Sequence, residues 1–212
     1  IVGILGLTAN GLYAVATKIP TIINVFYTIF SQAWQISAVE EYEENRQGRF
    51  FSDVFNANAG LSFVLIGGII VFLKPIMHVF VAASYFSAWE IVPTLLLASL
   101  FSNLSGFLGT IYLATKQTIG IMKTTVLGML ANVVLNLILI PLFGLQGAGI
   151  GAAAGFAFVA LVRLRDVKKF VVLKVAWVPL ITSLLLLIGM TIIQLSLPNI
   201  LMMYLVLVMS EL

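Results

Sequence analysis

Polar side chains recur at a helical spacing within the first long apolar stretch of the chain. They are Asn10, Lys18, Thr21, Asn24, Thr28, Gln32 and Gln35. At roughly 100° per residue, these positions fall within about one third of the circumference of a helix. Polar groups left unpaired in lipid cost several kcal/mol, so this stripe must face protein or water. The pattern predicts one wall of a hydrophilic translocation cavity, with Lys18 as the contact for an anion.

A purely structural role explains only part of this stripe. The Lys18 ammonium group could extend to the outer membrane surface, and the amides could bond one helix to another. That explanation does not account for Gln32 and Gln35, which lie at the other end of the helix. The length of the stripe therefore favours the cavity.

Two later apolar stretches carry weaker polar faces. One has Ser99, Ser102, Asn103, Gly106 and Thr110, and the other has Gly128, Asn132 and Asn136 at steps of four residues. Small and polar residues also pack membrane helices together. The first face therefore predicts helix packing and a cavity wall equally. For the two asparagines, a hydrogen bond between helices is slightly favoured over contact with a substrate.

Gly147, Gly151 and Gly155 follow one another at steps of four residues. This spacing places small residues on one helix face, which another helix backbone can approach closely. A dinucleotide-binding loop is excluded here, because no strand precedes the glycines and no acidic residue follows at the required distance.

Groups for enzymatic chemistry are sparse. The single histidine, His78, and the carboxylates Asp53, Asp166 and Glu90 fall in loops or at a helix end, and the chain has no cysteine. No pair of carboxylates lies within an apolar stretch, and no metal-ligand spacing is present. We expect a protein that is not an enzyme and that uses no cofactor.

The composition explains where these residues must lie. Of the 212 residues, 61% are hydrophobic and 9% are charged, against about 45–50% and about 25% in soluble domains. This composition excludes a water-soluble globule, and a net charge of +3 is too small for a nucleic-acid-binding surface. The apolar runs are too long and unbroken for a β-barrel. The sequence predicts an all-α, multi-pass protein of the lipid bilayer.

About six to seven stretches are long enough to cross a bilayer, which takes about 20 apolar residues. They cover roughly 10–36, 56–73, 89–114, 119–143, 147–162, 175–195 and 198–209. Residues 1–7 are too few to span, and we expect them to be the tail of a preceding element. The last stretch is expected to be truncated.

Basic residues in the loops predict the orientation. If the first span enters from outside, nine of the eleven Lys and Arg residues lie on the cytoplasmic side, in loops or, for Lys123, at the start of the next span. Lys74 then lies outside and Lys18 lies within a span. This asymmetry matches the positive-inside rule. The acidic run 40–44 falls in the first predicted cytoplasmic loop. We expect it to be a solvated face and not a gate or a partner contact.

Several short motifs follow one another in a specific order between Thr8 and Val172. They are YAVATKIP at 13–20, FSQAW at 30–34, KPI at 74–76, YFSAW at 85–89, TIYLATKQT at 110–118, and a pattern of Asn132, Asn136, Pro141, Gly144, Gly147 and Ala148 before Arg163 and Arg165. In this order they resemble the carboxy-terminal lobe of polysaccharide (lipid-linked oligosaccharide) flippases. These flippases belong to the multidrug/oligosaccharidyl-lipid/polysaccharide exporter superfamily.

The resemblance implies two pseudo-symmetric lobes around a central cavity, working by alternating access. Residues 1–172 would form the carboxy-terminal lobe with about five spans, and residues 173–212 would add two spans. The amino-terminal lobe of the same protein is expected as a partner that these residues do not include. The implied location is the bacterial inner membrane.

The implied activity is transmembrane flipping of an undecaprenyl-pyrophosphate-linked oligosaccharide for cell-surface polysaccharide biosynthesis. Lys18 would contact the pyrophosphate, and Asn24 and Gln32 would contact sugar hydroxyls, with Asn132 and Asn136 as further candidate substrate contacts. A multidrug/cation antiporter of the same superfamily is one alternative, although such proteins usually carry acidic residues in the membrane. A membrane scaffold without transport activity is the other, and it predicts a closed apolar bundle.

Overall fold

Seven α-helices and one 3-10 helix form the part of the protein that the computed structural model describes, residues 2–43 and 49–196. The helices are α1 (Val2–Ala16), α2 (Lys18–Glu43), α3 (Phe50–Val71), α4 (Leu73–Phe80), the 3-10 helix (Ala83–Glu90), α5 (Val92–Ala114), α6 (Thr118–Val167) and α7 (Trp177–Ser196). No β-strand occurs among these residues. The predicted all-α class is confirmed.

Five helical stretches are long and apolar enough to cross a membrane. The first joins α1 and α2 into the 40 residues Gly3–Tyr42, and the others are α3, α5, α6 and α7. Each predicted span between residues 10 and 195 overlaps one of these stretches, and two of them fall within α6. The predicted span at 198–209 lies outside the described residues. By the hydropathy of its helices, the chain is a multi-pass membrane protein.

Helix α6 is bent sharply at Gly144. This residue has φ 60° and ψ −136°, a left-handed conformation that glycine adopts without steric cost. Pro141 precedes the bend within the same helix, and a proline removes a helical hydrogen bond. The bend divides α6 into a first arm, residues 118–143, and a second arm, residues 145–167. The arms correspond to the predicted fourth and fifth spans.

The two arms of α6 pack against each other along the glycine face of the second arm. A Cβ atom on Gly155 would lie 2.9 Å from Asn132 Nδ2, and one on Gly151 would lie 3.0 Å from Asn136 Oδ1. Gly151 and Asn136 are both nearer to the bend in sequence than Gly155 and Asn132 are. The two arms are therefore antiparallel. The predicted close approach at the glycine face is confirmed.

Helix α5 lies at the centre of the bundle. It packs against α2, α3 and α6. Most of its residues are buried, whereas few residues of α6 and α7 are. The outer sides of α6 and α7 expose large apolar residues such as Leu137 and Leu186, which suits contact with lipid chains. Polar residues of α5 therefore face other helices rather than lipid.

Side-chain hydrogen bonds connect the chain at both ends of the bundle. We call the end that carries Arg165, Lys168 and Lys169 the basic end. At the basic end, Ser52 Oγ accepts a hydrogen bond from the backbone N–H of Lys174 at 2.9 Å, and Asn56 Oδ1 accepts one from Ala176 at 3.0 Å. At the opposite end, Gln146 Nε2 donates to the Glu90 carbonyl beside the bend of α6. The start of α3 thus meets the segment between α6 and α7 at the basic end.

Several assignments made from the sequence are corrected at the helix ends. Residues 40–43 of the acidic run extend α2 instead of forming a loop. His78 lies in α4 (Leu73–Phe80), which the 3-10 helix (Ala83–Glu90) follows. Hydropathy marks only the part of a helix that crosses hydrocarbon, whereas helices continue into the polar headgroup region. Between α4 and the 3-10 helix, Lys74 Nζ lies 4.5 Å from the centroid of the Trp89 ring, and burial lowers the pKa of the Lys74 ammonium group.

Trp34 anchors α2 to α5. Its Nε1 donates to Thr110 Oγ1 at 2.6 Å, and its ring stacks on Phe107 with the ring centroids 4.6 Å apart. The side chain is only 4% exposed. Because one edge of α2 is fixed against α5 here, the opposite edge of α2 must face away from the bundle.

Replacing Trp34 by Ala is expected to destabilise the protein by about 3–5 kcal/mol, because it opens a cavity at the α2–α5 contact. The apparent melting temperature in detergent measures this effect. The matched control is Trp177→Ala, since the Trp177 side chain is 44% exposed. Equal losses for the two variants would contradict an anchoring role for Trp34.

Candidate functional site

The predicted polar stripe of α2 lies on an exposed side of the helix. Its members from Lys18 onward, Lys18, Thr21, Asn24, Thr28, Gln32 and Gln35, are all exposed, and Asn10 on α1 is half-buried. The buried side of α2 carries Ile19, Ile23 and Trp34. Apolar residues next to the stripe are exposed too, with Ile22 at 53% and Phe26 at 64%. The described helices therefore leave the stripe uncovered, together with an apolar strip beside it.

Lys18 lies at the first residue of α2, near the opposite end of the bundle. It borders a pocket of about 350 Å³ between α2, α4 and the 3-10 helix, whose walls include Ile76, Phe80 and Tyr85. The walls are largely apolar, and Lys18 supplies the charged group. An ammonium group in this position can reach the membrane surface, and it can equally meet an anion that enters from that side.

Asn24 borders a small groove between α2, α5 and the second arm of α6, which we call the α2–α5 groove. The groove has a volume of about 220 Å³, and Thr21, Ser99 and Ser102 also line it. On the same polar face of α5, Asn103 is buried and Thr110 bonds to Trp34. The polar face of α5 thus combines the two predicted roles, since part of it packs helices and part lines a groove.

A larger cavity lies between α5 and the two arms of α6, and we call it the α5–α6 cavity. Its volume is about 610 Å³. Its apolar wall residues include Met129, Val133 and Phe156. Its polar wall residues are Tyr13, Ser102, Ser105, Thr125, Asn132 and Arg163. Tyr13, Ser102, Ala152 and Phe156 line both this cavity and the α2–α5 groove. The two spaces are therefore adjacent.

Arg163 is the residue of this cavity that sequence reasoning misplaced. It was expected in a cytoplasmic loop, but it lies inside the second arm of α6 and is only 8% exposed. Its guanidinium donates to Thr124 Oγ1 at 3.0 Å, to the Ser105 carbonyl at 2.9 Å and to Thr125 Oγ1 at 2.9 Å. The charge thus joins both arms of α6 to α5. The signal was present, since Arg163 continues the four-residue steps of the glycine face beyond Gly155.

Asn132 and Asn136 form their hydrogen bond within one arm. Asn136 Nδ2 donates to the Asn132 carbonyl at 2.8 Å and to Asn132 Oδ1 at 2.9 Å. The expected bond between two helices is therefore replaced by a bond along the first arm. The glycines of the second arm pack over both side chains. Asn132 still borders the α5–α6 cavity, which Asn136 does not line.

The structure distributes the five candidate site residues over several places. Asn24 and Asn132 line adjoining spaces, Lys18 lies in the pocket near the opposite end, and Gln32 is exposed on α2 and lines none of these spaces. Among the described residues, no group of three or more His, Asp or Glu side chains could hold a metal ion. Asn24 and Asn132 thus offer polar surfaces to a ligand, and Lys18 offers a cationic one.

Comparisons of the chain with protein-family models, with curated proteins and with solved structures found no match. The helices themselves show a multi-pass membrane protein. The resemblance of the short motifs to flippases remains an interpretation of the sequence.

Gly155→Leu is expected to destabilise the protein by about 1–3 kcal/mol, because the larger side chain must push the first arm away at Asn132. The apparent melting temperature in detergent reports the loss. Gly60→Leu is the matched control, since Gly60 on α3 is exposed and has no atom within 4 Å of an added Cβ. If Gly155→Leu melted no lower than Gly60→Leu, close packing of the arms would be refuted.

Proposed function

We propose that this chain is one lobe of a flippase for an undecaprenyl-pyrophosphate-linked oligosaccharide in a bacterial inner membrane. The observation that carries the proposal is the exposed polar face of α2, from Lys18 to Gln35. The short motifs that resemble polysaccharide flippases supply the substrate class. In this proposal the chain acts as a transporter and not as an enzyme.

The polar face of α2 must contact water or protein, because lipid chains cannot satisfy its polar groups. Each unsatisfied polar group in hydrocarbon costs several kcal/mol, and a lysine at mid-membrane costs about 2.5–3.5 kcal/mol on insertion scales. Along the face, the hydroxyl groups of Thr21 and Thr28 donate to the backbone carbonyls of Thr17 and Asn24, one turn earlier. The amides of Asn24 and Gln32 are exposed. A second lobe across a water-filled cavity would hydrate these groups and complete the translocation path.

The sign of the charge favours an anionic substrate. The carboxylates in the described parts of α2, α3 and α6 lie near helix ends, as Glu40, Asp53 and Asp166 show, and Asp166 is bonded to Tyr112 and Lys169. A cation antiporter needs carboxylates within the membrane, and they would have to come from the other lobe. Lys18, by contrast, is suited to a pyrophosphate group.

Single-cysteine labelling tests whether the polar face is hydrated. The chain has no native cysteine, and Asn24, Thr28, Ile22 and Phe26 are all exposed on α2. In the complete transporter, a membrane-impermeant thiol reagent is expected to label cysteines at Asn24 and Thr28 but not those at Ile22 and Phe26. Cysteine at the buried Ile23 serves as the unlabelled control. Failure to label the polar positions would overturn the cavity.

Substitutions at Lys18 test the proposed anion contact. Lys18→Ala and Lys18→Glu are expected to abolish translocation of a lipid-linked oligosaccharide in proteoliposomes, whereas Lys18→Arg retains it, because only the charge is needed. Membrane insertion should be unchanged. Lys123→Ala, an exposed cation at the basic end, is the control. Unchanged transport by Lys18→Ala would remove this residue from the mechanism, and efflux of cationic drugs in place of lipid flipping would favour the antiporter.

A further inference from the structure

The guanidinium of Arg163 is a buried charge without an acidic partner among the described residues. Its three hydrogen bonds all go to neutral oxygen atoms, those of Ser105, Thr124 and Thr125. The nearby Asp166 instead accepts hydrogen bonds from Tyr112 and Lys169. A buried charge that lacks a counter-charge is costly. A guanidinium has five N–H donors, so further donors remain for an anion.

The α5–α6 cavity in which Arg163 lies has a cationic end and, along the first arm of α6, a row of apolar residues beside the polar Asn132. Thr125 contacts the guanidinium at 2.9 Å, and Met129 and Val133 follow it along the first arm at steps of four residues. Phe156 of the second arm also lines the cavity. An occupant that matches this wall carries an anionic head beside Arg163 and a hydrocarbon chain along the apolar residues.

A second polar group lies near the same end of the cavity. The hydroxyl of Tyr27 is buried, and the side chain of Ser31 lies beside it. It lies against Gly106, a residue of the cavity wall, because a Cβ atom there would be 2.7 Å from Tyr27 Oη. Tyr27 thus lies behind the cavity wall at the end that holds Arg163.

The position of Arg163 suggests the source of the anion. Arg163 lies close to the end of α6, which leads into Arg165, Lys168 and Lys169 at the basic end of the bundle. Under the predicted orientation this end faces the cytoplasmic leaflet, where anionic lipids gather at basic residues. The cavity volume of about 610 Å³ is that of a site for a ligand of drug size, which suits a headgroup and the start of its chains.

We propose that the α5–α6 cavity binds an anionic phospholipid of the bilayer, with its phosphate at Arg163 and its hydrocarbon along Met129, Val133 and Phe156. The bound lipid neutralises Arg163 and holds the two arms of α6 against α5. This role does not depend on which substrate the protein transports.

Native mass spectrometry of the purified chain in mixed micelles tests this directly. Micelles that contain equal amounts of phosphatidylglycerol and phosphatidylcholine are expected to leave phosphatidylglycerol bound to the protein in preference. Phosphatidylglycerol should also raise the apparent melting temperature, because a ligand that binds only the folded state stabilises it. Equal retention of the two lipids by the unsubstituted protein would overturn the proposal.

Two substitutions with matched controls locate the site. Arg163→Gln is expected to abolish both the preference and the temperature shift, whereas Arg165→Gln, which removes an exposed charge two residues along the same helix, keeps both. Ala152→Trp should fill the cavity and abolish binding with Arg163 intact, whereas Ala154→Trp on the exposed side of the arm should not.

If Arg163→Gln does not fold, Ala152→Trp and the lipid preference of the unsubstituted protein decide the question. Retention of the preference by Ala152→Trp would refute the cavity as the site. Loss of the preference in Arg165→Gln to the same extent as in Arg163→Gln would show that a diffuse basic surface attracts the lipid.

Discussion

The close contact between the two arms of α6 is the constraint on which the rest of this bundle depends. It is possible because Gly151 and Gly155 present no side chain to the asparagines of the first arm. Within lipid there is no hydrophobic drive between helices, so such close packing must supply the stability. The same register places Arg163 opposite Thr124 and Thr125. The glycine face thus sets the position of the one buried guanidinium described in α6, and with it the cavity beside α5.

The orientation of α2 follows from a second contact, between Trp34 and α5. With Ile19, Ile23 and Trp34 buried on one side, the polar stripe is turned outward together with Ile22 and Phe26. A helix that exposes polar and apolar residues side by side suits a boundary between water and protein or lipid, and it does not suit a closed apolar bundle. The proposed cavity wall requires such a mixed surface, whereas the scaffold alternative predicts a closed apolar one.

Much of the fold could be predicted because lipid imposes simple rules on sequence. The long apolar runs predicted the helices, and the glycine spacing predicted a close helix contact, which the arms of α6 make. The candidate site was harder to predict, because helix rotation and packing decide which polar residues share a space. Arg163 was assigned to a loop because hydropathy ends a span at the first charge, although the helix continues to Val167. Asn136 looked like Asn132 in the sequence, but only Asn132 borders the cavity.

The two cations of interest, Lys18 and Arg163, lie at different depths of the bundle. Tyr27 packs beside Gly106 near Arg163, and it follows Lys18 by nine residues of α2, which corresponds to about 14 Å along a helix. A single phosphate group cannot contact both cations at once across that separation. If Lys18 meets the substrate near the opposite end while Arg163 holds a lipid near the basic end, the two charges act on different molecules. Arg163 then holds the helices in place, and these helices form the rigid wall from which Lys18 acts.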